Sequence, residues 1–129
     1  MRQQGKQHDA NEKIYVWTFR GERIILKGKD IWYVHTEQRK LFIHTHSKSY
    51  RIGGNLKEAV ERLKGLPMVK THSAYLVHLD CLESINAHCA RLKNGVSIPV
   101  SERCWKQARP VIEEYYMRGE EAADNKTGR

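Results

Sequence analysis

The chain has 129 residues, enough for one domain that buries its own core. Its 23 Lys and Arg against 15 Asp and Glu leave a formal charge of +8. That balance favours a polyanionic partner, nucleic acid or an acidic membrane surface, although many small proteins are basic without one. No apolar run approaches the roughly 18 residues that span a bilayer, and the start MRQQGKQHDANEK lacks the apolar stretch of a signal peptide. A cytoplasmic location with no membrane contact is expected.

Residues 1–12 are polar and without period, and residues 118–129 read the same way. Both are expected as disordered ends of a domain over 13–117. Between them the pattern is mostly strand. Residues 13–19, KIYVWTF, are rich in β-branched and aromatic side chains and end at the turn pair Arg20-Gly21. ERIIL (22–26) follows at hairpin spacing. Two more strands are predicted at 30–36 and 40–46, joined by a short polar loop at Glu37, Gln38 and Arg39, and a fifth at 49–52. At Gly53-Gly54 the period changes. Asn55 and Glu58 have the spacing of a capping box, and Leu56, Ala59, Val60 and Leu63 fall on one helical face. Gly65 and Pro67 stop this helix.

A short buried segment follows at Tyr75, Leu76, Val77 and Leu79, then a long strand over 82–92. Asn94-Gly95 is the pair favoured in a type I′ hairpin turn. Val96, Ile98 and Val100 alternate after it, with Pro99 marking an edge or a bulge. Ser101 suits an N-cap for a helix bearing Trp105, Ala108, Ile112 and Tyr116 on one side, which Pro110 is expected to divide.

Cys81, Cys89 and Cys104 are odd in number and form no C-x-x-C pair. Neither a disulfide framework nor a zinc knuckle is indicated, and reduced, space-filling thiols are expected. His44 and His46 alternate onto one face of a predicted strand, and with His35 on the neighbouring strand they would suit zinc. No carboxylate or thiolate is evidently placed with them, so no metal or other cofactor is expected. There is no nucleophile elbow and no phosphate-binding glycine loop, and no enzymatic activity is expected.

Lys70, His72, Ser73 and Arg103 stand at the joints between these elements, where side chains meet partners rather than build a core. Four segments in this order resemble the LytTR DNA-binding domain of bacterial transcriptional regulators. They are Asp30-Ile31-Trp32-Tyr33, Gly54-Asn55-Leu56-Lys57-Glu58, Lys70-Thr71-His72-Ser73-Ala74-Tyr75-Leu76-Val77, and Leu92-x-Asn94-Gly95-x-x-Ile98-Pro99-Val100-Ser101. The resemblance runs from about residue 13 to residue 108. It implies a mostly β, elongated fold of stacked antiparallel sheets, with one short helix after the fifth strand and a C-terminal helix. It also implies a sequence-specific transcriptional regulator that reads the major grooves of duplex DNA through loops.

By position, the resemblance implies a first contact at Gln38, Arg39 and Lys40, a second at His72 and Ser73 with Lys70 beside them, and a third at Arg103. Two departures stand out. Lys70 stands where arginine is usual, keeping the charge but losing the bidentate fork, and His78 stands where asparagine is common. Family members commonly occupy paired direct repeats, which implies two copies, a homodimer on DNA. Residues 1–12 are too few for the phosphorylatable receiver that most members carry, so a stand-alone regulator or a fragment of a longer one is expected. The chemistry of the residues agrees, since a guanidinium beside a helix N-terminus attracts phosphate twice over. The alternative is a basic module that binds RNA or other single strands, or another protein. Trp17, Trp32, Tyr33 and Phe42 would then form a stacking platform. Their apolar-dense strands favour burial instead.

Overall fold

The computed structural model describes residues 10–120. Strands β1 (Ile14–Phe19) and β2 (Glu22–Lys27) make an antiparallel ribbon. Tyr15 and Trp17 are buried while Ile14 and Val16 are exposed, the period of two of a strand with one wet face. Arg20 and Gly21 join the strands with φ of 48° and 82°, the type I′ turn whose twist matches that of the flanking strands.

A five-stranded antiparallel sheet follows, built from β3 (Tyr33–Glu37), β4 (Lys40–His44), β5 (Ser49–Ile52), β6 (Met68–His72) and β7 (Tyr75–His78). Their order in space is β5-β4-β3-β7-β6. Helix α1 (Leu56–Arg62) connects β5 to β6, and both halves of its capping box form. Asn55 Oδ1 accepts from the Glu58 amide at 2.9 Å, and Glu58 Oε1 accepts from the Asn55 amide at 3.2 Å. A third sheet, ordered β10-β9-β8, comprises β8 (Leu82–Ile85), β9 (Cys89–Leu92) and β10 (Ser97–Pro99), and leads into α2 (Glu102–Glu120). The mostly β class and the placing of the two helices match the expectation from sequence.

The five-stranded sheet is a wall shared by two cores. Val34, Leu41, Ile43, Ile52 and Leu76 pack with Tyr15, Trp17 and the apolar side of α1. Val69 and Val77 pack with Leu92, Ile98, Ala108 and Ile112 from the third sheet and α2. Adjacent residues of one strand thus serve different cores, as Leu76 and Val77 do on β7.

Several local expectations are corrected. Residues 10–12, expected in the polar arm, form a helical turn. Glu12 ion-pairs with Lys29 at 3.1 Å and Lys27 at 3.3 Å. Gly28 is buried beneath this turn, where a Cβ would meet the Ala10 carbonyl oxygen at 2.3 Å. The rest of the expected arm lies outside the described residues, as does the tail beyond Glu120, while α2 takes in residues 118–120 of the expected tail. The third strand starts at Tyr33 because Gly28–Asp30 is a 3-10 turn. The long strand over 82–92 is a hairpin, since Asn86 Oδ1 accepts from the amides of His88 and Cys89 and turns the chain.

The turn at Asn94-Gly95 is not type I′, since Asn94 is absent from the residues with positive φ. The Gly95 amide bonds the Leu92 carbonyl and only Gly95 (φ 91°) is left-handed. This is the three-residue loop in which a type I turn precedes a left-handed glycine. Pro110 does not divide α2. Its ring and Lys106, whose carbonyl loses its amide partner, both lie on the solvent side, while Ala108 and Ile112 anchor the opposite side.

Leu92 is fully buried at the centre of the second core. Leu92→Ala is expected to destabilise the fold by about 2–5 kcal/mol. Urea unfolding reads this as a lower midpoint at unchanged slope.

Candidate nucleic-acid interface

Antiparallel pairing of β3 with β7 brings the β3–β4 turn and the β6–β7 turn to one end of the sheet. Three backbone hydrogen bonds extend that end into a row. The Thr36 amide bonds the Ala74 carbonyl at 3.0 Å, which joins the two turns. The Ser101 amide bonds the Thr71 carbonyl at 2.8 Å, which sets the start of α2 against β6. The Val100 amide bonds the His88 carbonyl at 3.2 Å, which adds the β8–β9 turn beyond it.

Each residue singled out in the sequence falls on or beside this row. Gln38 and Arg39 are the two turn residues between Glu37 and Lys40, and all of them are exposed. Ser73 is exposed at the tip of the β6–β7 turn, and His72 is half-buried at its base. Arg103 is exposed in the first turn of α2, whose N-cap is Ser101: its hydroxyl accepts from the Cys104 amide at 3.1 Å. Lys70 stands apart from His72. The register shift between them pairs Lys70 with Leu76 but His72 with Tyr75, so the bulge sends the two side chains to opposite faces. Sequence reasoning missed the turn at Asn86, Ala87 and His88, which has no Gly or Pro to announce it. The Asn94-Gly95 turn lies at the other end, where Asn94 Nδ2 donates to the His46 carbonyl at 2.8 Å.

The lysines and arginines of this end are in no ion pair. Among the described residues the Lys and Arg ion pairs are Glu12 with Lys27 and Lys29, Glu61 with Lys64, and Glu113 with Arg109. Arg39, Lys40, Lys70 and Arg103 make none, which leaves them available to phosphate. His72 is fixed as a donor, because its Nδ1 accepts from the Ala74 amide at 3.1 Å and the proton of the neutral ring then sits on Nε2. A donor there suits phosphate oxygen, guanine O6 or N7, or adenine N7.

The three histidines grouped in the sequence part company. His46 lies beyond the end of β4 and meets the Trp32 ring edge-on. His35 Nδ1 and His44 Nε2 lie 2.8 Å apart, and contrary to expectation a carboxylate is present, Glu37 Oε1 at 3.3 Å from His35 Nε2. No group of three or more His, Cys, Asp or Glu among the described residues has the geometry to hold a metal ion. His78, at the position where asparagine is common, is buried and structural. Its Nδ1 accepts from the Asp80 amide and its Nε2 donates to Asn11 Oδ1 at 3.3 Å, and burial pushes its pKa down. Cys81 is buried, which pushes its thiol up to about 12 and keeps it protonated at neutral pH.

The LytTr DNA-binding domain family model matches residues 21–113, well over half of the chain. This protein belongs to the LytTR family. A search of curated protein sequences finds no match. Among solved structures, the LytTR fold is seen in the LytTr DNA-binding domain of a protein described as a methyl-accepting/DNA response regulator from Bacillus cereus. The TM-score is 0.66 at 16% identity, covering 77% of this chain and 95% of that one.

One feature of this LytTR domain costs local stability. Gln38 and Arg39 have φ of 53° and 66°, so both are left-handed, in a type I′ turn that favours Asn-Gly. Each such residue costs about 1–2 kcal/mol relative to glycine. Replacing the pair by Asn-Gly is expected to stabilise the fold by about 1–2 kcal/mol, read as a higher melting temperature. A turn chosen for stability alone would show no such gain.

Proposed function

We propose that this LytTR domain acts as a sequence-specific transcriptional regulator. It binds duplex DNA through three loops, two of which enter successive major grooves. The observation that carries the reading is the row of turns at one end of the sheet, holding unpaired Arg39, Lys40 and Arg103 beside the donor His72. Phosphate contacts supply most of the affinity, and His72, Ser73 and Arg103 face bases. Two copies side by side on paired direct repeats form the working unit. The chain has no catalytic role. The single-strand alternative loses Trp17 from its platform, because that ring is only 4% exposed and packed in the first core.

Selection from random duplexes is the decisive experiment. An enriched motif establishes both the function and its specificity, and preference for single strands of equal length sinks the reading. Arg103→Ala is expected to weaken binding to the selected motif by about 1–3 kcal/mol with the fold intact. Unchanged affinity in a titration removes that contact. Lys40→Ala is expected to weaken binding to all duplexes alike and to lower the salt slope by roughly one unit. An unaltered slope places Lys40 in solvent.

A further inference from the structure

A side-chain hydrogen-bond chain runs along the sheet face beneath the first contact turn. Ser49 Oγ lies 2.7 Å from His44 Nδ1, His44 Nε2 lies 2.8 Å from His35 Nδ1, and His35 Nε2 lies 3.3 Å from Glu37 Oε1. The rings are held in place by stacking, Tyr33 on His44 at 4.1 Å and Tyr75 on His35 at 5.1 Å. With both imidazoles neutral, every donor points the same way. The Ser49 hydroxyl donates to His44, His44 Nε2–H donates to His35, and His35 Nε2–H donates to the Glu37 carboxylate.

The pair takes up one proton without breaking the chain. The added proton enters at His44 Nδ1, where Ser49 Oγ becomes its acceptor. The proton on His44 Nε2 passes to His35 Nδ1, and His35 then donates from both nitrogens. A second proton has no place between nitrogens 2.8 Å apart. Burial and the neighbouring His35 push His44 down to about 4, and the proton passed along the chain to His35 lies against Glu37.

Glu37 is the last residue of β3, opposite Lys40 and next to the Gln38-Arg39 turn, and its exposed carboxylate repels phosphate. The titratable and charged groups around the pair are Tyr33 and Glu37 on β3, Lys40 on β4, Arg51 on β5, His72 on β6 and Tyr75 on β7. Glu37 is the one acid among them.

We propose that the Ser49–His44–His35–Glu37 chain is a charge-compensating, positioning device for the first DNA-contact turn. A proton taken up by the histidine pair is held against Glu37, cancels its repulsion of the DNA backbone and tightens binding. This rests on the DNA-binding function. The sign follows from linkage: the complex holds the extra proton more firmly than free protein, so affinity rises as pH falls.

The test is fluorescence anisotropy with a labelled duplex of the selected motif at fixed ionic strength, from about pH 8 to about pH 5.5. His72→Gln with His88→Gln forms the background, since both imidazoles sit at the same end and lie outside the chain. In that background affinity is expected to rise about two- to fivefold on acidification. Glu37→Gln is expected to bind tightly at both extremes, and His35→Gln to stay at the weak, alkaline level. A slope that survives both substitutions overturns the proposal while leaving DNA binding in place. Absence of duplex binding by the unsubstituted protein at every pH overturns the DNA reading and the proposal with it. Imidazole NMR of the free protein is expected to show one shared proton, and two independent protonations overturn the chain whatever DNA does.

Discussion

The structure depends on strict alternation along β3 and β7. Val34 and Leu76 enter one core, while Tyr33, Tyr75 and Val77 face the other. Slipping either strand by one residue would send apolar side chains into the wrong layer and bring polar ones inside, so both cores vote for the same register. That register decides where the turns fall. With His35 opposite Tyr75, the ends of β3 and β7 are level, and the Thr36–Ala74 hydrogen bond closes the gap between turns distant in sequence.

The electrostatics follow the same division of space. Lys27 and Lys29 are tied to Glu12, Lys64 to Glu61 and Arg109 to Glu113, whereas Arg39, Lys40, Lys70 and Arg103 make no ion pair among the described residues. Several other arginines are occupied by aromatic faces instead: Arg62 lies over Trp17 and Arg51 over Phe19. The two left-handed residues at Gln38 and Arg39 fall at the turn end, at a cost in local backbone stability.

Much of this was legible in the sequence. The first five strands and α1 were found because period-two alternation, the capping box and the glycine pair all agree over those residues. Strand β6 was hidden, since the bulge at Thr71 breaks the alternation that would announce it and also parts Lys70 from His72. The β8–β9 turn was hidden because the Asn86 side chain does the work usually left to glycine. The two hairpin pairs exchanged roles for a related reason. Turn type is set by which residues pair across the strands, and that is decided by the cores rather than by the dipeptide. Asn94-Gly95 became part of a three-residue loop, and Gln38-Arg39, with no glycine, took the type I′ geometry. Of the candidate site, the exposed turn positions were readable, while their arrangement in a row, and the histidine chain beneath it, needed three-dimensional packing.

The clasp between Asn94 and the His46 carbonyl lies as far from the turn end as the fold allows, yet it bears on what that end can do. It pins the loop of the third sheet to the five-stranded sheet, while Ser101 and Thr71 pin the same two layers at the opposite end. Fastened at both ends, the layers cannot slide past one another. The separation between the β3–β4 turn and the start of α2 is therefore a fixed length, a ruler whose graduations are set by core side chains. The spacing of the turns along that one end is then a property of the interior.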